Sequence, residues 1–180
     1  MLALMIILPL CGCGGSQQAQ ESFLQWRESF SQAEEHGMTA HIRFSQDESV
    51  GEYLLSYTLN SQEETVEVLE PELIAKVKAH MEGEKPRLSF DGVILDAGGS
   101  IEDISPMTAL PLFMDFVLSG HLEGVWTEKK DGQELIVSEL ERDDGSKMTL
   151  WQSAADMTPL YAEIRGGNAV EAAIDIRQIN

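Results

Sequence analysis

The chain has 180 residues, 31 of them acidic and 12 basic, for a net charge of −19. That balance excludes a nucleic-acid binder, which needs Lys and Arg to neutralise phosphates, and excludes electrostatic adsorption to an anionic membrane face. Both cysteines, Cys11 and Cys13, lie at the N-terminus, so the remainder has no disulfide and depends on packing alone.

Met1 to Leu10 is an uncharged apolar run of signal-sequence length, well short of the ~20 residues that span a bilayer. It leads into Leu10-Cys11-Gly12-Cys13, which resembles a bacterial lipobox. A branched apolar residue stands three places before the modified cysteine and a small one directly before it. Gly12 makes Cys13 the acceptor, whereas Cys11 follows bulky Leu10. Residues 1–12 are thus expected to be a signal peptide, with Cys13 carrying a diacylglycerol anchor in the membrane. Residues 13–20 would be the lipidated cysteine and a flexible Gly/Gln linker. A signal peptide normally opens with Lys or Arg, and Met-Leu-Ala-Leu has neither, so the expected translation start lies upstream. The mature protein would be extracytoplasmic, held on the cell membrane by two acyl chains, which suffice for stable anchoring.

About 168 residues follow the cleavage site, the size of one domain. Between Glu21 and Glu35, Phe23, Trp26, Phe30 and Ala33 recur at helical spacing, which predicts an amphipathic helix ended by Gly37. The period then changes to two in Ala40, Ile42 and Phe44. It returns around Tyr53 to Leu59, Val66 to Val68, Val77 to Met81, Leu88 to Phe90, Leu135 to Val137, Met148 to Leu150, Leu160 to Ile164 and Val170 to Ile176. Asp91-Gly92, Asp131-Gly132, Asp144-Gly145 and Gly166-Gly167-Asn168 punctuate these runs as hairpin turns. The alternation predicts an antiparallel meander with one apolar face.

Two helical interruptions are expected. Glu70-Pro71-Glu72 starts a single turn, and Ser105-Pro106 starts a helix over Pro106 to Leu118 in which only Thr108 and Asp115 are strongly polar. Apolar nearly all round and thirteen residues long, that helix must be enclosed by protein. Its natural place is the apolar face of a bent sheet.

Catalytic patterns are lacking: Gly-x-Ser-x-Gly, Ser-x-x-Lys and His-Glu-x-x-His are absent, and His36, His41, His80 and His121 are dispersed. Glu34-Glu35, Glu63-Glu64, Glu102-Asp103 and Asp143-Asp144 are acidic pairs. Neighbours on a strand point to opposite faces, and Asp143-Asp144-Gly145 reads first as a turn. No metal site, cofactor or enzymatic activity is expected, the catalytic alternative being a hydrolase of cell-wall glycan or lipid. The central helix and the strands instead offer a candidate apolar lining of Tyr53, Tyr57, Phe90, Leu110, Phe113, Met114 and Val117, which either fills the core or borders a pocket for a hydrophobic ligand.

Several segments together resemble lipoproteins of the LolA-like fold, in particular the clostridial GerS-like spore-germination lipoproteins. They are Leu69-Glu70-Pro71-Glu72-Leu73-Ile74, Leu88-Ser89-Phe90-Asp91-Gly92, the Ser105-Pro106 helix, Leu150-Trp151 and Pro159-Leu160-Tyr161-Ala162-Glu163-Ile164. The resemblance implies an α+β fold over residues 21–180, a strongly curved, unclosed antiparallel half-barrel enclosing helices. It also implies a non-catalytic role in binding a hydrophobic ligand, a lipoprotein or an envelope protein. An open sheet edge offers a homodimer contact.

Overall fold

A computed structural model describes residues 14–46, 49–82, 85–90, 93–95, 105–166 and 169–180. Cys13 and the apolar run before it lie outside these residues, as do Asp91-Gly92, Gly167-Asn168 and Glu102-Asp103. The chain forms helix α1 (Gly14–Ser31), then strands β1 (His36–Gln46), β2 (Ser49–Leu59) and β3 (Glu64–Glu70), and a 3-10 turn (Glu72–Ile74). Strands β4 (Lys78–Glu82), β5 (Lys85–Phe90) and β6 (Val93–Leu95) precede helix α2 (Ala109–Ser119). Strands β7 (His121–Lys130), β8 (Gln133–Glu141), β9 (Lys147–Ser153), β10 (Pro159–Gly166) and β11 (Ala169–Ile179) complete it.

The strands form one antiparallel sheet of order β6-β5-β4-β3-β2-β1-β11-β10-β9-β8-β7. The first six step outward to one edge, and the last five begin at the opposite edge and step back until β11 pairs with β1. The connection from β6 to β7 must therefore cross the sheet, and α2 is part of that crossing. This is the expected α+β half-barrel, unclosed, with two helices on one face.

That face is apolar because of strand parity. Ala40, Ile42 and Phe44 of β1, Leu55 and Tyr57 of β2, Val66 and Val68 of β3 point to it with Met148, Leu150, Ala162, Ile164, Ala172 and Ile174. They share one core with Phe23 of α1 and with Leu110, Leu112, Phe113, Met114, Phe116 and Val117 of α2. Fully burying each such side chain contributes roughly 1.5–3 kcal/mol before the entropy of ordering it is counted.

Several expectations change. The first helix begins at Gly14, so most of the stretch read as a flexible linker is its first two turns, with Ala19 buried, and it ends at Ser31 rather than near Gly37, which lies in β1. Strand β7 was hidden in the sequence because a register shift between Leu122 and Gly124 breaks the period of two between Leu122 and Val125. Leu135 and Val137 do not share the face of Met148 and Leu150. Register pairs Val137 with Trp151 on the outer face, whereas Ser138 and Leu140 oppose Leu150 and Met148 on the inner one. Leu135-Ile136-Val137 is apolar at three consecutive positions, so periodicity could not choose its face.

Local chemistry accounts for the ends of the elements. Ser105 and Thr108 exchange bonds before α2: Thr108 N–H donates to Ser105 Oγ at 3.2 Å and Ser105 N–H to Thr108 Oγ1 at 2.8 Å. Asp131 and Gly132 have φ of 51° and 83°, the pair of positive values that a tight two-residue hairpin between β7 and β8 requires. At the far end of α2 the Gly120 N–H returns to the Phe116 carbonyl at 3.0 Å, while Arg27 Nη2 of α1 donates to the Gly120 carbonyl at 2.9 Å.

A Cβ on Gly120 would stand 2.6 Å from the Phe116 carbonyl oxygen, backbone that has no side-chain freedom to move away. Gly120→Ala is expected to destabilise the fold by about 1–3 kcal/mol, the usual cost of overpacking. Urea unfolding checks this through a lowered midpoint at unchanged slope.

Candidate binding site

The candidate lining divides into three environments. Leu110, Phe113, Met114 and Val117 follow one another on α2 at spacings of three, one and three, and all are at most 2% exposed. Tyr57 joins them from β2 at 1% exposure, and Tyr53 lies half-buried against the same cluster. Phe90 stands apart on β5, 44% exposed. Five of the seven thus meet in one packed interior, one borders it and one does not belong to it.

Helix α2 takes the central position because eight of its eleven residues are buried and it packs on β8 and β10 as well as on α1. Among the described residues, the interior around α2 is packed by the chain's own side chains. Sequence periodicity gave the apolar face of α2 but not its packing.

The interior also contains polar atoms that apolar patterning did not anticipate. Ser138 Oγ, Gln152 Oε1 and His36 Nδ1 are buried without a protein partner among the described residues. Gln152 does use its Nε2, which donates to the Met157 carbonyl at 2.9 Å. The available signal was parity, since Ser138 and Gln152 fall at inward positions of strands whose neighbours there are apolar. His36 closes a ring series in which Phe23, Trp26, Phe30 and His36 succeed one another at centroid distances of 5.8, 5.2 and 4.5 Å. Burial holds its imidazole below the usual 6.5, so its neutral form suits the fold. The unfolded chain takes up that proton more readily, and the stability this group supplies falls as pH drops below about 6.5.

At the base of α2, Arg142 Nε meets Asp115 Oδ2 at 2.8 Å and its Nη1 meets Asp144 Oδ2 at 3.1 Å, with the guanidinium 5.8 Å over the Phe116 ring. This ties the helix to the β8–β9 turn. His121 Nε2 lies 3.1 Å from Asp143 Oδ1, and both side chains are exposed. Among the described residues no three His, Cys, Asp or Glu side chains are gathered as metal ligands would be.

Tyr57 carries the only hydroxyl of the buried lining, and it donates to Glu64 Oε1 at 2.9 Å. Burial, and then the carboxylate, push the phenol up. Burial likewise raises the Glu64 carboxyl above its ordinary 4.5, the Tyr57 bond opposes this, and the charge of Asp115 adds to it. The folded state then holds the Glu64 proton more tightly than the unfolded one, so this group favours folding at acid pH and that contribution is lost as pH rises past 4.5. Glu64→Gln keeps an acceptor for Tyr57 and removes the charge. It is expected to raise the melting temperature at pH 7, with the gain shrinking as the pH is lowered toward 4.5 and absent below it.

No family model matches the chain, and no curated protein matches it in sequence. Solved structures do. A DUF1329 family protein from Desulfovibrio piger is 11% identical, with a TM-score of 0.53 and 93% of each chain covered. A LolA superfamily protein from Nitrosomonas europaea is 14% identical at a TM-score of 0.44, covering 93% of this chain and 94% of that one. In the Pseudomonas aeruginosa MucA/MucB complex the matched chain is 14% identical at 0.42, with 91% of this chain and 56% of that one covered. At such identities the likeness concerns the fold alone, here an unclosed antiparallel half-barrel with two helices on its apolar face.

Proposed function

We propose that the protein is a non-catalytic binding protein of the cell envelope, held at the membrane through a diacylglycerol on Cys13, that engages a partner protein from its surface rather than carrying cargo inside its half-barrel. One observation carries this reading: Leu110, Phe113, Met114, Val117 and Tyr57 occupy the interior themselves, each at most 2% exposed. A hydrophobic ligand there would have to displace α2 and the salt bridges of Arg142 with it. The lipobox-like Leu10-Cys11-Gly12-Cys13 supports the anchor. Permanent attachment suits a protein that meets its partner on one membrane surface. The segments resembling GerS-like lipoproteins make proteins of spore germination the first partners to try, and a second copy of the chain the next.

Two measurements test this. Cys13→Ala is expected to move the protein from the membrane fraction to the soluble one on cell fractionation, and retention in the membrane would overturn the anchor. Protein purified without detergent is expected to show no bound acyl ligand by native mass spectrometry and to take up no fluorescent fatty acid. Stoichiometric co-purifying lipid would overturn the filled-interior reading.

A further inference from the structure

The sheet face turned away from the helices carries a feature that strand parity makes legible. Register aligns Trp126, Val137, Trp151, Tyr161 and Asp175 in one row across β7, β8, β9, β10 and β11. Outward positions of a solvated sheet are ordinarily polar, so three large aromatic residues in such a row call for an explanation. Beside them runs an open groove of about 570 Å³ whose lining includes Trp151, Tyr161 and Leu160. The Trp151 and Tyr161 rings are 5.3 Å apart and inclined at 48°.

The aromatic groups are held in place. Glu128 accepts from both indoles, at 2.8 Å from Trp126 Nε1 and 3.2 Å from Trp151 Nε1, and Tyr161 donates its hydroxyl to Glu163 at 3.0 Å. Rigid aromatic groups lose little freedom on binding, which is what a recognition surface needs.

The charges of the groove are unbalanced once internal pairs are removed. Glu163 is met by Arg165 at 2.6 Å, and Arg43 by Glu52 at 3.7 Å. Three carboxylates in the lining, Glu128, Asp131 and Asp175, have no cation within salt-bridge distance among the described residues, against one unpaired ammonium, Lys130. A groove with aromatic faces and surplus carboxylates attracts a cation twice, through the ring quadrupoles and through charge, and the net charge of −19 raises the rate at which cationic partners meet the protein.

We propose that this groove docks a basic segment of a partner protein, seating an arginine or lysine side chain against the Trp151–Tyr161 pair with Glu128 and Asp175 as its counter-charges. The proposal rests on the reading of the protein as a partner-binding one and gives that partner its chemistry. The mixed polar rim would also accept a neutral glycan, but uncompensated carboxylates are better explained by a cation.

Titration of the full chain, followed through the indole N–H resonances of Trp26, Trp126 and Trp151, tests it. The probes are an acetylated alternating Arg-Gly octapeptide, the corresponding Glu-Gly octapeptide and chitotetraose. The Arg peptide is expected to shift Trp126 and Trp151 saturably while leaving Trp26, half-buried against the core, unmoved, to bind more weakly as salt is raised, and to lose about tenfold in affinity with Glu128→Gln and with Asp175→Asn. Both variants change exposed side chains; Glu128→Gln also loses one of its two indole bonds, so Asp175→Asn reads the charge alone, and an unmoved Trp26 resonance shows that both are folded. Trp151→Ala is expected to abolish binding. No saturable shift, equal binding of the Glu peptide, preferential binding of chitotetraose, or undiminished affinity in both charge variants would overturn the proposal. Such a failure would leave the filled-interior reading standing, since that reading falls only if lipid co-purifies.

Discussion

Helix α2 is apolar on nearly every side, and a helix of that kind has no stable place in water. Its neighbours in sequence lie at opposite edges of the sheet, since β6 ends one margin and β7 begins the other, so the chain has to carry it across. Burying it on the way satisfies both requirements at once. The apolar parity of the strands supplies one wall, and α1, through Phe23 and the Arg27 bond to Gly120, supplies another. The salt bridges of Arg142 to Asp115 and Asp144 then fix the helix end against the β8–β9 turn.

Function follows from where this leaves unspent chemistry. On the inner face almost every apolar group has a partner, and the exceptions are isolated polar atoms such as Ser138 Oγ and Gln152 Oε1. The outer face is different. There the aromatic row of Trp126, Trp151 and Tyr161 is braced by carboxylates, and part of the groove charge is uncompensated. With its hollow occupied by its own helix, the half-barrel leaves its aromatic and charged groups on the reverse side of the same strands.

Much of the architecture was legible in the sequence, because alternation in Ala40-Ile42-Phe44 or Ala172-Ile174-Ile176 and the all-round apolar character of 106–118 are direct consequences of burial. What escaped had specific causes. A bulge in β7 reversed the parity of Leu122 against Val125, and β6 has only three residues in which to show a pattern. The opening Gly-Gly-Ser-Gln-Gln of α1 has the composition of a linker, yet the helix extends through it where Ala19 finds burial. The apolar lining was visible as a set of residues, but whether such residues enclose a space or fill it depends on packing at the scale of single methyl groups, which composition does not encode. The groove escaped for a related reason: Trp126, Glu128, Trp151, Tyr161 and Asp175 come from four strands and meet only through register.

The account turns on α2 being a fixed part of the core rather than a lid over a cavity. Hydrogen exchange measured under native conditions reads this directly, because amides that open only on global unfolding share the protection of the most stable strands. The amides of residues 112–118 in α2 are expected to be as protected as those of β1 and β11 at the centre of the sheet. Exchange of the α2 amides through a separate opening of much lower free energy, with β1 and β11 still protected, would contradict the account and return the interior to service as a binding cavity.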